Sequence, residues 1–185
     1  YDWKEVCEAL DSLLSMKTTM GDKVNKFEKL FAEYIGVKYA IMVNSGSSAN
    51  LLAMQCLINP YRKTRLKQGD EVLIPALCWS TSLWPIVQSN LKPVFVDINV
   101  SDLNINLDDL EKKITKKTKA IFLVHVLSNS TDMDRLLKVK KKHNLIIIED
   151  TCESLGSKYR NKYLGTFGDF STFSFYYSHQ ITSGE

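Results

Sequence analysis

The sequence predicts an α/β fold of three layers, in which helices cover both faces of a mostly parallel β-sheet. Short apolar segments, rich in β-branched and aromatic residues, alternate along the chain with segments of helical pattern. The apolar segments also lack the alternation of polar and apolar residues that a strand with one wet face shows. We therefore expect strands that are buried on both faces, with helices above and below them.

Six segments are expected to form the strands, because each is apolar at successive positions. They are YAIMV (39–43), EVLIP (71–75), PVFVD (93–97), AIFLVHV (120–126), LIIIED (145–150) and STFSF (171–175). None approaches the ~20 apolar residues that a membrane span needs, and no charged and then apolar leader opens the sequence. The sequence therefore predicts a soluble, cytoplasmic protein.

Six further segments have a helical pattern, two before the sheet and four between its strands. They cover residues 3–15, 23–34, 47–57, 80–89, 106–114 and 132–143. Gly36 is expected to end the second helix, since glycine readily takes the left-handed conformation that closes a helix. Pro85 lies near the start of the fourth, where a helix tolerates proline.

Length and composition favour one domain with one hydrophobic core, since the chain has 185 residues of which 44% are hydrophobic. The chain stops soon after its last strand, so we expect it to be a fragment of a longer protein. The net charge of +3 comes largely from residues 112–119 and 138–143. Both runs lie beside helical patterns and are expected to be solvated faces, and no continuous basic stripe with aromatic residues supports nucleic-acid binding.

The cysteines are widely spaced, without a C-x-x-C pair: Cys7, Cys56, Cys78 and Cys152. This spacing favours reduced thiols over a zinc site or a disulfide framework.

Polar residues follow several of the predicted strands, at the sheet edge where open parallel sheets bind ligands. After YAIMV comes NSGSSAN, with Gly46, Ser47 and Ser48 at the start of a helix. The free N–H groups and dipole of a helix start favour a phosphate, although an ordinary N-cap turn has the same pattern. Trp79 follows EVLIP, where its indole either closes the core or lies against a flat ring.

Carboxylates follow the strand LIIIED, where Asp150 and then Glu153 leave the apolar run. A buried carboxylate needs a cation or several donors, and a protonated pyridine nitrogen is one such partner. The alternative is an aspartate that caps a helix.

The last polar group at this edge contains Ser174, Ser178 and His179. No second histidine lies at the spacing of a metal site, and no G-x-S-x-G motif supports a serine hydrolase. His179 is therefore a structural residue or an acid/base catalyst.

Five stretches together resemble, in order and spacing, the large domain of the DegT/DnrJ/StrS family of sugar aminotransferases and dehydratases. They are VNSGSSAN, GDEVLIPALCWSTS, KPVFVDI, LIIIEDTCES and GTFGDFSTFSFYYSHQITSGE. The resemblance implies the fold type I architecture of enzymes that use pyridoxal 5'-phosphate. Residues 1–185 would then hold the N-terminal helices and most of the large domain, without the C-terminal small domain.

The residues that bind the cofactor in this family can be matched to single positions of this chain. Gly46, Ser47 and Ser48 match the turn that holds the cofactor's phosphate in the family. Ser174 matches a residue that makes a further contact with this phosphate. Trp79 matches the aromatic residue stacked on the pyridine ring. Asp150 matches the carboxylate that pairs with the ring nitrogen of the cofactor. Glu153 matches a carboxylate that lies near the cofactor.

The departure from the family lies at position 179, where most members have a lysine that holds the cofactor covalently and this chain has histidine. Such a replacement resembles the branch of 3-dehydratases that act on nucleotide-linked 4-keto-6-deoxyhexoses in deoxysugar and lipopolysaccharide synthesis, and most of all its GDP-sugar members. The resemblance implies pyridoxal or pyridoxamine phosphate bound without a covalent link, with His179 as the acid/base that assists loss of the C3 hydroxyl.

Several alternatives stay open. Turnover in this branch is completed either with glutamate as amine donor or with an iron-sulfur cluster and a reductase partner, and the cluster's cysteines would lie beyond residue 185. A sugar 4-aminotransferase would need a lysine from elsewhere, of which Lys158 and Lys162 are nearest. A catalytically silent relative is the third reading.

The family resemblance also implies a homodimer. At position 180 this chain has Gln180, where relatives commonly have a histidine.

Overall fold

The computed structural model describes residues 2–183. Within them the α-helices are α1 Trp3–Leu14, α2 Asp22–Ile35, α3 Gly46–Ile58, α4 Ser80–Gln88, α5 Leu107–Lys113 and α6 Met133–His143. Gly36 follows α2 in the left-handed conformation, with φ of 83°, as expected. Among the residues described, no helix combines the length and the apolarity that crossing a membrane requires.

The strands are β1 Glu71–Pro75, β2 Lys92–Val96, β3 Thr118–Val124, β4 Ile146–Asp150, β5 Lys158–Tyr159, β6 Lys162–Tyr163 and β7 Phe170–Thr172. Five of them form one parallel sheet in the order β2-β1-β3-β4-β7. The chain leaves β1 for β2 on one side and returns to β3 on the other, so the order reverses next to β1. Ligands bind outside the carboxyl ends of the strands at such a reversal.

Two apolar clusters lie on opposite faces of the sheet. On one face Leu73 and Ile121 pack with Leu110 of α5 and Leu136 of α6. On the other face Val72, Ile74 and Phe122 pack with Met54 of α3 and Ile86 of α4. Neighbouring residues of β1 and β3 thus point into different layers, and the predicted three-layer α/β fold is confirmed.

The strand predicted at 39–43 does not form, and that prediction is wrong. A strand exists only when a second segment bonds to it, and no described residue pairs with 39–43 in a ladder. Tyr39 and Ile41 are each 73% exposed, and the N–H of Met42 donates instead to the Glu28 carboxylate at 2.7 Å. Apolar composition alone therefore misled the assignment.

A short antiparallel hairpin of β5 and β6 lies between β4 and β7 in the chain. The two residues between its strands, Arg160 and Asn161, both have positive φ, at 45° and 65°. Two such residues make the tight turn that suits the twist of a hairpin. The repeated Lys-Tyr on either side of Arg-Asn was the available signal for it.

The chain divides into two compact units between Met42 and Val43. In the first, Lys23 of α2 forms ion pairs with Glu8 and Asp11 of α1, at 2.7 and 2.9 Å. A capping box between Asp2 and Glu5 begins α1. The second unit contains the whole sheet and α3 to α6, and the candidate site lies within this unit.

Candidate active site

A cavity of about 610 Å³ lies at the carboxyl edge of the parallel sheet. Its wall comes from five segments, each at a strand end or at the start of α3: residues 45–50, 77–82, 124–127, 150–153 and 174–179, with Leu103 beside them. Small-molecule sites typically enclose roughly 300–1,000 Å³. The cavity is therefore large enough for a cofactor together with part of a substrate.

Asp150 ends β4 at the cavity wall and is 5% exposed. Its Oδ2 accepts hydrogen bonds from Asn50 Nδ2 at 2.9 Å and from Ser82 Oγ at 2.8 Å. Its Oδ1 accepts the N–H of Cys152 at 3.2 Å. Three donors from separate parts of the chain thus fix this carboxylate. The side chain of Asp150 does not cap a helix, which was the alternative reading from the sequence.

The start of α3 presents backbone N–H groups to the cavity wall. Ser45 caps the helix by accepting the N–H of Ser48 at 3.1 Å, whereas the N–H groups of Gly46 and Ser47 have no partner in the described part of the chain. A Cβ on Gly46 would lie 2.8 Å from the Ser174 Cβ. The helix start and Ser174 therefore meet closely, and together they offer donors to an anion.

Ser48 does not contribute to the cavity wall as the other predicted phosphate residues do. Its N–H is taken by Ser45 Oγ, and its hydroxyl accepts a bond of 3.2 Å from the same group. In the structure Ser48 is thus a partner of the helix cap, and Ser45 takes its place at the wall. A phosphate contact from Ser48 stays a prediction.

Trp79 lies at the open side of the cavity, where it precedes α4 and is 74% exposed. An indole so exposed does not close the core, which was one of the two readings of this residue. A flat ring bound in the cavity would cover part of it.

Glu153 belongs to the wall and is bonded to the turn after β3. Its Oε2 accepts the N–H of Leu127 at 3.2 Å. Its carbonyl oxygen accepts bonds from Ser128 Oγ at 2.9 Å and from Gln180 Nε2 at 2.6 Å. Gln180 therefore ties the segment after His179 to the 153 turn.

His179 lines the cavity beside Ser178 and is partly buried. Its backbone N–H donates to Tyr176 O at 2.9 Å, and its ring meets the Tyr176 ring edge-on with centroids 5.8 Å apart. The Nδ1 atom is buried without a hydrogen-bond partner among the described residues. The imidazole is thus positioned by its backbone and by Tyr176.

No lysine belongs to the cavity wall in the described part of the chain. The two lysines considered from the sequence lie in the hairpin: Lys158 Nζ stands 4.3 Å from the Tyr163 ring centroid, and Lys162 Nζ stands 4.5 Å from that of Phe167. Both lysines thus contact aromatic rings, and neither belongs to the cavity wall.

Two cysteines also line the cavity, Cys78 and Cys152. Burial, and next the nearby Asp150, raise the pKa of both thiols. Both therefore favour the uncharged thiol, which is a weak nucleophile. Across residues 2–183, no three His, Cys, Asp or Glu side chains come together as a metal site.

Several wall residues escaped prediction from the sequence, among them Ser45, Asn50, Ser82 and His125. Asn50 and His125 are polar interruptions of apolar segments, which was a usable signal. Ser82 gave no such signal in the sequence, because its role depends on a hydrogen bond with Asp150, which is 68 positions away.

A known protein family matches nearly the whole chain. The model of the DegT/DnrJ/EryC1/StrS aminotransferase family matches residues 2–185. The GDP-4-keto-6-deoxy-D-mannose 3-dehydratase of Yersinia pseudotuberculosis is 44% identical over 185 residues, which is 100% of this chain and 47% of the relative. The GDP-perosamine synthase of Escherichia coli O157:H7 is 41% identical over 180 residues, covering 97% of this chain and 47% of the relative.

A solved structure gives the same fold. GDP-4-keto-6-deoxymannose-3-dehydratase with a trapped PLP-glutamate geminal diamine superposes with a TM-score of 0.92 at 43% identity, over 98% of this chain and 47% of that one. The chain thus spans about half the length of the relatives it matches. It belongs to the DegT/DnrJ/EryC1/StrS aminotransferase family.

Proposed function

We propose that this chain forms the cofactor-binding part of a 3-dehydratase that removes the C3 hydroxyl of a nucleotide-linked 4-keto-6-deoxyhexose, with pyridoxal or pyridoxamine phosphate as cofactor. The observation that carries this proposal is the imidazole of His179 in a cavity whose described wall contains no lysine. An imidazole can accept and return a proton but cannot hold the cofactor covalently. Elimination is the chemistry that this substitution favours.

The residues of the cavity fit the proposed cofactor. Asp150 is a buried carboxylate whose position is fixed by Asn50 and Ser82, as a partner for a protonated ring nitrogen must be. The unpartnered N–H groups of Gly46 and Ser47 suit a phosphate. Trp79 offers an exposed face for the ring, and Ser174 and Glu153 would complete the contacts.

When bound, the cofactor supplies an electron-withdrawing ring that stabilises negative charge on a neighbouring carbon. The chain's own part is to bind it, to keep Asp150 fixed, and to move one proton. His179 takes that proton at its imidazole and returns it to the C3 oxygen of the sugar as this oxygen leaves. The absence of a hydrogen bond to its Nδ1 among the described residues supports this role.

We propose glutamate as the donor that completes turnover, because the solved relative at 43% identity was trapped as a PLP-glutamate adduct. The alternative is an iron-sulfur cluster with a reductase. Cys7, Cys56, Cys78 and Cys152 are free thiols within residues 2–183, and the cysteines of such a cluster would lie beyond residue 185.

We also propose a homodimer. Trp3, Val6, Leu10 and Leu13 recur at helical spacing along α1, and each is more than half exposed. An apolar stripe of this kind is normally covered by another surface.

The second candidate function is a sugar 4-aminotransferase, which the 41% identity to GDP-perosamine synthase favours. Sequence identity alone hardly distinguishes the two functions, since the chain is 44% identical to the dehydratase. The residue at position 179 separates them by chemistry. The intact contacts of Asp150 count against the third reading, a catalytically silent relative.

The test is an absorbance spectrum of the purified protein with pyridoxal 5'-phosphate, before and after borohydride, followed by glutamate. The proposal predicts no covalent adduct and a conversion of the bound aldehyde to the amine form by glutamate. A borohydride-trapped lysine adduct would move the assignment to the aminotransferase. Absence of any spectral change would favour the silent relative or a reductase-dependent enzyme.

A further inference from the structure

A buried pair, His125 and Glu149, lies beside the cavity, with only His125 in its wall, and takes no part in the proposed chemistry. Both side chains have 0% exposure, and His125 Nε2 lies 2.9 Å from Glu149 Oε2. His125 directly follows β3 and belongs to the cavity wall. Glu149 immediately precedes Asp150 on β4.

Backbone donors fix the carboxylate of Glu149. Its Oε2 accepts the N–H of Gly165 at 2.9 Å, and its Oε1 accepts those of Phe167, at 2.7 Å, and Gly168. Burial by itself raises the pKa of Glu149, but the bond with His125 and the backbone N–H groups outweigh it, so the pKa lies below its ordinary value. Glu149 is therefore a charged group that only accepts hydrogen bonds.

This charge decides the tautomer of His125. A carboxylate cannot donate, so the imidazole nitrogen that faces it, Nε2, must carry the hydrogen. In the neutral ring the other nitrogen, Nδ1, is then an acceptor with a free lone pair. The backbone around it is also fixed, since the His125 N–H donates to Asp150 O at 3.1 Å and its carbonyl accepts from Ser154 Oγ at 2.6 Å.

Nδ1 of His125 is buried and has no hydrogen-bond partner among the described residues. Buried polar atoms of proteins are almost always bonded, and an unbonded one points to a ligand or a water that satisfies it. Because His125 lines the cavity, the group that occupies the cavity can supply the donor. The same pairing with Glu149 that fixes the tautomer keeps the ring from turning away.

We infer that His125 is a binding residue of the cavity, whose Nδ1 accepts a hydrogen bond from a hydroxyl or N–H donor of the bound cofactor. This inference rests on the proposed function for the identity of the cofactor. Glu149 acts through His125 as a positioning residue. The wall thus has an acceptor on β3 in addition to Asp150 on β4.

A pair of substitutions separates the two nitrogens of His125. His125→Gln places an amide nitrogen at the position of Nε2, so it can still donate to Glu149 but lacks the acceptor at Nδ1. His125→Asn places a polar atom at the position of Nδ1 and loses the contact with Glu149. The readouts are the Kd for pyridoxal 5'-phosphate, from quenching of tryptophan fluorescence, and the Tm of the protein without cofactor.

We expect His125→Gln to keep the wild-type Tm and to raise the Kd about tenfold, the factor that one ordinary hydrogen bond carries. His125→Asn should lower the Tm and change the Kd less than His125→Gln does. A His125→Gln protein with the wild-type Kd overturns the inference. It is equally overturned if Kd changes only in step with Tm in both variants, because His125 then acts through the fold alone.

The wild type is measured first and separates the two proposals. A wild type that binds no pyridoxal 5'-phosphate overturns the proposed function, and this inference with it. A wild type that binds the cofactor, beside a His125→Gln variant that binds it equally well, overturns this inference and leaves the proposed function standing.

Discussion

Asn50 Nδ2 donates a hydrogen bond of 2.9 Å to Asp150 Oδ2, across 100 positions of the sequence. The other end of the same amide is also held, since Thr172 Oγ1 donates to Asn50 Oδ1 at 2.6 Å. All three side chains are buried. Asn50 Nδ2 also donates a longer bond, of 3.5 Å, to Thr81 O. The amide is thus held at both ends, and α3, β4 and β7 together set the position of the carboxylate.

Asn50→Leu keeps the size of the side chain and removes these bonds. We expect the free energy of unfolding to fall by about 1–3 kcal/mol, because Asp150 and Thr172 each lose a partner in a buried place. The Kd for pyridoxal 5'-phosphate should rise as well, since the carboxylate is no longer held. Urea denaturation and a binding titration measure the two effects.

Gln55→Leu is the control on the same helix. Gln55 is exposed, and its amide donates to Ser89 Oγ at 3.0 Å. Its loss should cost less than that of Asn50, because only one neutral hydrogen bond is removed and Gln55 itself lies in water. Equal losses in the two variants would contradict the special role of the buried amide.

Gly46→Ala tests the close approach between the start of α3 and Ser174, which follows β7. The added methyl group would lie 2.8 Å from Ser174 Cβ and 3.0 Å from Cys152 Sγ, so the helix start must move. We expect a stability loss of about 1–3 kcal/mol from overpacking. We also expect a clear rise in Kd for pyridoxal 5'-phosphate, because the N–H groups at the helix start are displaced.

Ser47→Ala is the matched control, because it keeps the backbone N–H of the neighbouring residue and adds no atom. It should bind the cofactor far better than Gly46→Ala. If Gly46→Ala binds as well as the wild type, the phosphate is not held at this helix start.

Glu149 should make stability depend on pH in the acid range. Its pKa in the folded chain lies below the ordinary value of 4.5. The stabilising effect of the Glu149 carboxylate is therefore complete above pH 4.5, and it is lost as the pH falls through the pKa of Glu149 in the folded chain. Glu149→Gln does not titrate, and we expect it to be about 1–3 kcal/mol less stable at pH 7, with a difference that narrows below pH 4.5.

The measurement is urea denaturation of both proteins at several values of pH. Glu111→Gln is the control, since that carboxylate pairs with Arg135 at the surface, at 2.6 Å and with 34% exposure. Its effect at pH 7 should stay under about 1 kcal/mol. A gap between wild type and Glu149→Gln that stays constant with pH would show that folding does not shift the pKa of Glu149.

The sequence was sufficient for the parts of the fold that depend on local pattern. Strands β1, β3 and β4 are continuous apolar runs, as burial on both faces requires, and they were predicted. The segment 39–43 has the same composition but no partner among the described residues, and pairing is not encoded in a segment by itself.

The candidate site divides in the same way. Gly46, Trp79, Asp150 and His179 follow apolar runs or open a helix, so their places could be predicted from the rule that ligands bind at the carboxyl edge. Asn50 and His125 were missed although each interrupts an apolar segment, because the bonds that give them a role, with Asp150 and Glu149, join distant parts of the chain. Their environment exists only after folding.

His179→Asn should remove the acid/base group and little else. We expect turnover of the nucleotide sugar to fall by about 10²–10⁴-fold, the usual contribution of a positioned acid/base group. The Kd for pyridoxal 5'-phosphate and the Tm should stay near wild type, because Nδ1 of His179 has no hydrogen-bond partner among the described residues. Steady-state kinetics, a binding titration and a thermal melt measure the three quantities.

His179→Lys asks the complementary question, because a lysine at this position restores an amine to a cavity wall that has none among its described residues. If the imidazole lies where the cofactor's reactive carbon would be, borohydride should now trap a covalent adduct at position 179, detectable as a mass increase of the peptide that contains it. His179→Asn, treated alike, should give no adduct. An unmodified lysine in His179→Lys, or unimpaired turnover in His179→Asn, would place His179 outside the reacting centre, since a residue that contacts the cofactor must respond to at least one of these changes.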